Sequence, residues 1–183
     1  MRHPFQAISS DRVGKYLFPL ILLTLVFMIA LNLLGASLNN PSAPNGIISF
    51  ELAGEVEVSK SILDSWDDKA QILASFSLGL DYLFLIVYSN TIGLGCIWAM
   101  GSFVSKGSSF LTAGLILAWG QWFAALFDAV ENAALIKLLL GDLQSPYPEI
   151  AKVFAIAKFV LIALGLIYIA FSAIIRIINQ VRA

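Results

Sequence analysis

The sequence predicts an all-α polytopic membrane protein: an up-down bundle of four transmembrane helices with an amphipathic helix in one outer loop. Three observations predict it. Hydrophobic residues make up 59% of the 183-residue chain and charged residues only 13%, against about 25% charged in a soluble domain. Four apolar stretches reach the roughly 20 residues that a helix needs to cross a bilayer core about 30 Å thick. The charges also segregate by loop. A soluble globule is excluded, because a domain of roughly 150 residues leaves about 30% of its unfolded surface exposed and the mean hydropathy here is +0.86. A disulfide scaffold is excluded too, since Cys96 is the single cysteine.

The first span covers residues 17–38. Arg2, Arg12 and Lys15 precede it and Gly35-Ala36-Ser37 ends it, which also fits a signal peptide with a small-residue cleavage site. The apolar run of about 18 residues exceeds the 7–15 usual for a signal sequence, so an uncleaved anchor is expected. Asn39-Asn40-Pro41-Ser42-Ala43-Pro44-Asn45-Gly46 is a strong helix stop. The second span covers 70–103, followed by a short turn over 101–109. The third covers 110–140. A turn over 141–148 leads to the fourth, 150–178, with Pro146 and Pro148 placed to start it. No alternating pattern of a membrane barrel is present, so helices are the spanning solution that satisfies the backbone. The whole chain reads as one domain without repeats.

The outer loop, residues 39–69, carries structure of its own. Val58, Ile62, Leu63 and Trp66 recur near helical spacing, with Glu55, Glu57, Lys60 and Asp64 between them. This predicts a short amphipathic helix. Ser49 is the expected cap of a preceding turn that places Phe50 and Leu52 on its apolar side. Such a loop can act as a lid over the bundle mouth or lie on lipid headgroups.

Orientation follows from the lysines and arginines. Arg2, Arg12 and Lys15, then Lys106, then Arg176 and Arg182 make one face positive. The long loop and the 141–148 turn with Glu149 are acidic. The positive-inside rule therefore predicts cytoplasmic N- and C-termini in a plasma (inner) membrane. Trp66 is the expected outer interfacial anchor and Trp98 the inner one. The depths of Trp119 and Trp122 depend on the tilt of an over-long third span.

Four charges remain inside the spans: Asp81, Asp128, Glu131 and Lys158. On the third span Gly114, Ala118, Gln121, Ala125, Asp128 and Asn132 share a face with Glu131 beside them. Ala151, Ala155, Lys158, Gly165 and Ser172 do the same on the fourth, and Ala74, Ser77, Asp81 and Tyr88 on the second. Small residues let helices approach and polar ones bond across them. On the first span Thr24 and Asn32 are the expected inward groups. A charge at the bilayer centre costs at least about 2.5–3.5 kcal/mol, so these four must meet one another or water. Lys158 can neutralise one carboxylate, leaving an acid-rich site of Asp81, Asp128, Glu131, Asn132 and Lys158. It binds a proton, cation or small polar ligand from the outer face, or it only pins helix register.

Other chemistries find little support. The single histidine, His3, lies in the N-terminal arm, so no His-based metal site is expected. Asp128-x-x-Glu131 resembles half of a di-iron carboxylate pattern, but the histidine that should follow each glutamate is missing. No glycine pattern follows a strand, so no nucleotide cofactor is implied. Cations are too few for a nucleic-acid footprint. Cys96 reads as a small packing residue.

Phe50-Glu51-Leu52-Ala53-Gly54, Ile62-Leu63-x-Ser65-Trp66, Leu80-Asp81-Tyr82-Leu83-Phe84 and Asp128-Ala129-Val130-Glu131-Asn132-Ala133 form a combination spread over most of residues 50–170. In it the chain resembles a group of small uncharacterised bacterial four-span membrane proteins. The resemblance implies a bacterial inner-membrane location and a loop and acidic cluster that belong to one design. It brings no activity.

Three functions are therefore open. The first is a proton, cation or ligand site, with conduction requiring a homo-oligomer because four helices leave little room for a pore. The second is an accessory subunit of a membrane complex. The third, a lipid-modifying enzyme using Asp128 or Glu131 as acid or base, lacks a histidine, a cysteine nucleophile and a metal motif to support it. The expected partners are the bilayer and a second membrane protein or copy.

Overall fold

In the computed structural model, which describes residues 2–103 and 108–181, every regular element among the described residues is helical. They are α1 (Ser10–Gly35), α2 (Ile47–Glu51), α3 (Val56–Asp64), α4 (Asp68–Met100), α5 (Ser108–Leu139) and α6 (Tyr147–Val181). Short 3-10 turns cover Pro4–Ala7, Ala36–Leu38 and Gly101–Phe103. Four of the helices, α1, α4, α5 and α6, are long and apolar enough to cross a membrane. Residues 104–107 of the expected turn, with Lys106, and Arg182 in the tail lie outside the described residues.

Several helices overrun their apolar stretches because capping chemistry, not hydropathy, sets their ends. The Asp67 carboxylate accepts the Ala70 N–H at 2.8 Å, so α4 starts at Asp68 rather than Ala70. At the end of α5, Asp142 N–H donates to Lys137 O and Gly141 N–H to Leu138 O, each at 3.0 Å. With Gly141 at φ 88°, this is the paired closure that a left-handed glycine allows.

The chain packs as two compact units. The unit of residues 25–86 and 126–158 contains an apolar core that includes Leu38, Phe50, Ile62, Leu63, Trp66, Leu78, Leu135 and Leu138. Its loop is held by specific bonds. Asn40 Oδ1 accepts the Ser42 and Ala43 N–H groups at 2.9 Å, and Asn40 Nδ2 donates to Ser65 Oγ at 3.0 Å.

Three expectations about this loop are corrected. Trp66 is not an interfacial anchor: it is buried, packs against Phe50, and its Nε1–H donates to Leu38 O at 2.9 Å. A buried indole N–H needs an acceptor, and the carbonyl at the end of the first span supplies it. Ser49 is not a helix cap; it lies inside α2, where its hydroxyl accepts the Asn45 N–H at 2.9 Å. Val58 and Leu52 are exposed, whereas Ser59, Ile62 and Leu63 are the buried positions of α3.

The other unit comprises residues 1–24, 87–125 and 159–183. Gly165 lets α6 approach α5 there, since a Cβ would stand 2.6 Å from Gln121 Nε2. Gln121, fully buried, donates to Leu161 O at 2.9 Å. Ser172 Oγ donates to Ala99 O at 3.1 Å, and the Arg176 guanidinium lies 3.9 Å over the Trp98 ring while donating to Trp98 O. Thr24 turns inward as expected, with its Oγ 2.8 Å from Thr91 Oγ. Asn32 does not: it is exposed. Among the described side chains of α1 only Val13 is buried, so a helical face inferred from polarity alone has little core to point at.

The N-terminal arm is a clasp in this same unit. His3 Nδ1 accepts the Phe5 N–H at 3.2 Å and Gln6 Oε1 accepts the His3 N–H at 2.9 Å. The imidazole is buried, with its centroid 4.8 Å from those of Phe5, Trp119 and Trp122. Burial lowers its pKa below the ordinary imidazole value. A histidine depressed in this way stabilises the fold above its unfolded pKa and loses that contribution as pH falls through it. Mild acidification is expected to release the clasp, changing Trp119 and Trp122 fluorescence in the wild type but not in His3→Phe. An identical change in both would refute the assignment.

Candidate functional site

The charged residues of the spans converge within the unit of residues 25–86 and 126–158. Asp81 comes from α4, Asp128, Glu131 and Asn132 from α5, and Lys158 from α6. The seven-residue face on α5 places Asp128 and Asn132 one turn apart, with Glu131 between them on the same side. Small neighbours on α6, Ala151 and Ala155, are fully buried, which permits the close approach that Lys158 needs.

Lys158 Nζ is the hub. It donates to Asp128 Oδ1 at 2.8 Å and to Glu131 Oε1 at 2.9 Å, and lies 2.9 Å from Glu131 Oε2. Asn132 Nδ2 donates to Asp81 Oδ2 at 2.6 Å. Tyr82 Oη, next in sequence, donates to Ala129 O at 3.1 Å and fixes α4 against α5. Asp128 is 2% exposed, Glu131 0% and Lys158 5%; water is largely shut out, so these charges interact strongly. Asp81 is half-buried.

One member comes from outside the spans. Glu51, the last residue of α2, is 8% exposed and its Oε2 lies 3.9 Å from Lys158 Nζ. Burial raises the Glu51 carboxyl above its ordinary value, the Lys158 ammonium opposes the rise, and Asp128 adds to it. Glu51 Oε2 is buried without a hydrogen-bond donor.

Sequence reasoning counts Glu51 among the solvated loop charges and misses it. The available signal is an acid between Phe50 and Leu52, followed by Gly54. Gly54 turns the chain with φ +74°, and a Cβ there would stand 2.5 Å from Lys152 Cδ on α6. That turn keeps α2 on the bundle.

Electrostatically the site is unbalanced. Three carboxyl groups face a single ammonium, and a fourth, Asp81, adjoins them through Asn132. One lysine neutralises one of them. The remaining negative charge has to be met by protons or by a bound cation, since uncompensated charge in a dry interior costs several kcal/mol or more. No protein-family model, curated protein or solved structure matches the chain, so the functional reading rests on the geometry of this cluster.

Proposed function

We propose that the chain is a small multi-pass protein of a bacterial inner membrane, with cytoplasmic termini, whose buried carboxylate–lysine cluster binds a proton, cation or small polar ligand. The observation that carries this reading is the unequal charge around Lys158: Glu51, Asp128 and Glu131 on one ammonium. A purely structural ion pair needs one acid for one base, and each further buried acid only adds desolvation cost. α1, α4, α5 and α6 supply the spans, and their exposed Leu, Ile, Val and Phe side chains suit lipid. α2 and α3, with Ile62 and Leu63 inward and Glu57 and Lys60 outward, form the amphipathic lid on the outer side.

The test is flux in proteoliposomes across an imposed pH or cation gradient. The wild type is expected to give pH-dependent flux that Asp128→Asn reduces at least tenfold. The accessory-subunit reading draws support from the hydrogen bonds by which Lys158 joins α6 to α5. It wins if the wild type is silent and purifies with a stoichiometric membrane partner.

A further inference from the structure

We propose that Glu51 is the proton carrier of the cluster: its carboxyl is protonated while α2 is docked, and loss of the proton releases α2 from the bundle. This deepens the ligand-binding reading above, rests on it, and names the ligand as a proton.

The assignment starts from how the Lys158 ammonium is shared. An ammonium has three N–H donors. Asp128 Oδ1 at 2.8 Å and the two Glu131 oxygens at 2.9 Å lie within hydrogen-bonding distance of it. Glu51 Oε2 stands at 3.9 Å, beyond the reach of a hydrogen bond. Hydrogen bonds to the charged form favour that form, so Asp128 and Glu131 are the carboxylates and Glu51 is the acid left to be neutral.

The surroundings of Glu51 are a second, independent observation. The residue is 8% exposed, and its Oε2 is closed to solvent with no donor. Among the described residues Lys158 is the one cation paired with it; Lys152, whose stem covers the turn at Gly54, is exposed. The charges that act on it are Asp128 and Glu131 from α5 and Lys158 from α6. Two carboxylates and one ammonium already leave the site negative. Ionising Glu51 would add a second uncompensated charge to a dry interior, which is costly.

The choice of a proton over a metal ion follows from the same hub. Lys158 Nζ occupies the point on which the three acids converge, so a cation entering there would face the ammonium. Among the described residues no group of three His, Cys, Asp or Glu side chains is arranged to hold a metal. A proton on the closed Oε2 needs no such room.

α2 is the element able to respond. It is five residues long and flanked by Gly46 at φ 55° and Gly54 at φ 74°. Asp128 and Glu131 instead sit inside a 32-residue helix. Ionisation sets Glu51 against both of them, and the short helix leaves before the long one moves.

The sign of the pH dependence follows. Burial raises the Glu51 carboxyl. A carboxyl raised in the folded state gives stability that is complete below its unfolded value and is lost as pH rises through its folded value. The experiment uses the full-length protein in nanodiscs, with infrared difference spectra against pH, hydrogen exchange and thermal melts. The wild type is expected to show a protonated-carboxyl carbonyl band at neutral pH that isotope labelling assigns to glutamate. Its melting temperature should fall as pH rises. Exchange across Ile47–Glu51, corrected for its intrinsic rise with pH, should increase in step with loss of the band. Glu51→Gln, a neutral side chain of the same shape, should keep the wild-type melting temperature at low pH and lose both the band and the slope.

Absence of a glutamate band in the wild type at neutral pH overturns the proposal, as does a band or an unchanged slope in Glu51→Gln. If that variant fails to fold, the wild type decides. Exchange in α2 that tracks the band supports Glu51, whereas a titrating band with α2 protection unchanged puts the proton on another carboxyl. Flux is scored separately. A silent wild type with the band and slope present removes the transport reading and leaves Glu51 protonated. Flux that Asp128→Asn abolishes, without the band, keeps that reading and overturns this one.

Discussion

Lys158→Met is expected to be the most damaging single substitution in the chain, costing about 3–5 kcal/mol, the usual consequence of removing one partner from a buried ion pair. The side chain is 5% exposed and faces Glu51, Asp128 and Glu131. Its removal leaves buried acids with no counter-charge. Thermal melts and expression in membranes are the readout. Adding Asp128→Asn to Lys158→Met should recover much of the loss, because it removes the acid nearest the vacated ammonium. Recovery of stability without recovery of flux separates ligand binding from packing. Full recovery of both, phenotype included, would assign the cluster a structural role.

Phe50→Ala is expected to cost about 3–5 kcal/mol, the range for removing a large buried aromatic side chain. Phe50 is 1% exposed and packs edge-on against Trp66 with ring centroids 5.5 Å apart. Its neighbour in sequence is Glu51, so loss of the anchor should free the acid as well. Hydrogen exchange should rise across Ile47–Glu51 while the central turns of α5 and α6 stay protected. Uniform exchange throughout the chain would show instead that α2 has no independent docking equilibrium.

What the sequence discloses depends on the range of the interaction. Four long apolar helices are legible because hydropathy is a property of each stretch by itself, and TM-length helices occur where it places them. The convergence of Asp81, Asp128, Glu131, Asn132 and Lys158 is legible because helical periodicity assigns each to a face and charge in an apolar run demands company. Glu51 is not legible in that way, since an acid in a polar loop reads as solvated. Its burial depends on Phe50 and Trp66 anchoring the loop and on the turn at Gly54. Trp66 and His3 fail for the same reason. Each looks like a boundary residue in sequence, yet each is buried through contacts to distant segments, Leu38 O for one and Trp119 and Trp122 for the other. Asn32 fails in the opposite sense, because α1 has too little buried surface for polarity to reveal a face.

The bareness of α1 sets how this protein can diverge. With Val13 its one buried described side chain and Thr24 tied to Thr91, most of residues 17–34 answer to whatever surrounds the molecule. At its exposed positions one apolar residue serves about as well as another, so change there is expected to be nearly neutral. The helices that carry the acids have no such licence. Substitutions that the fold tolerates should therefore collect on the exposed positions of the first helix and spare the charged core.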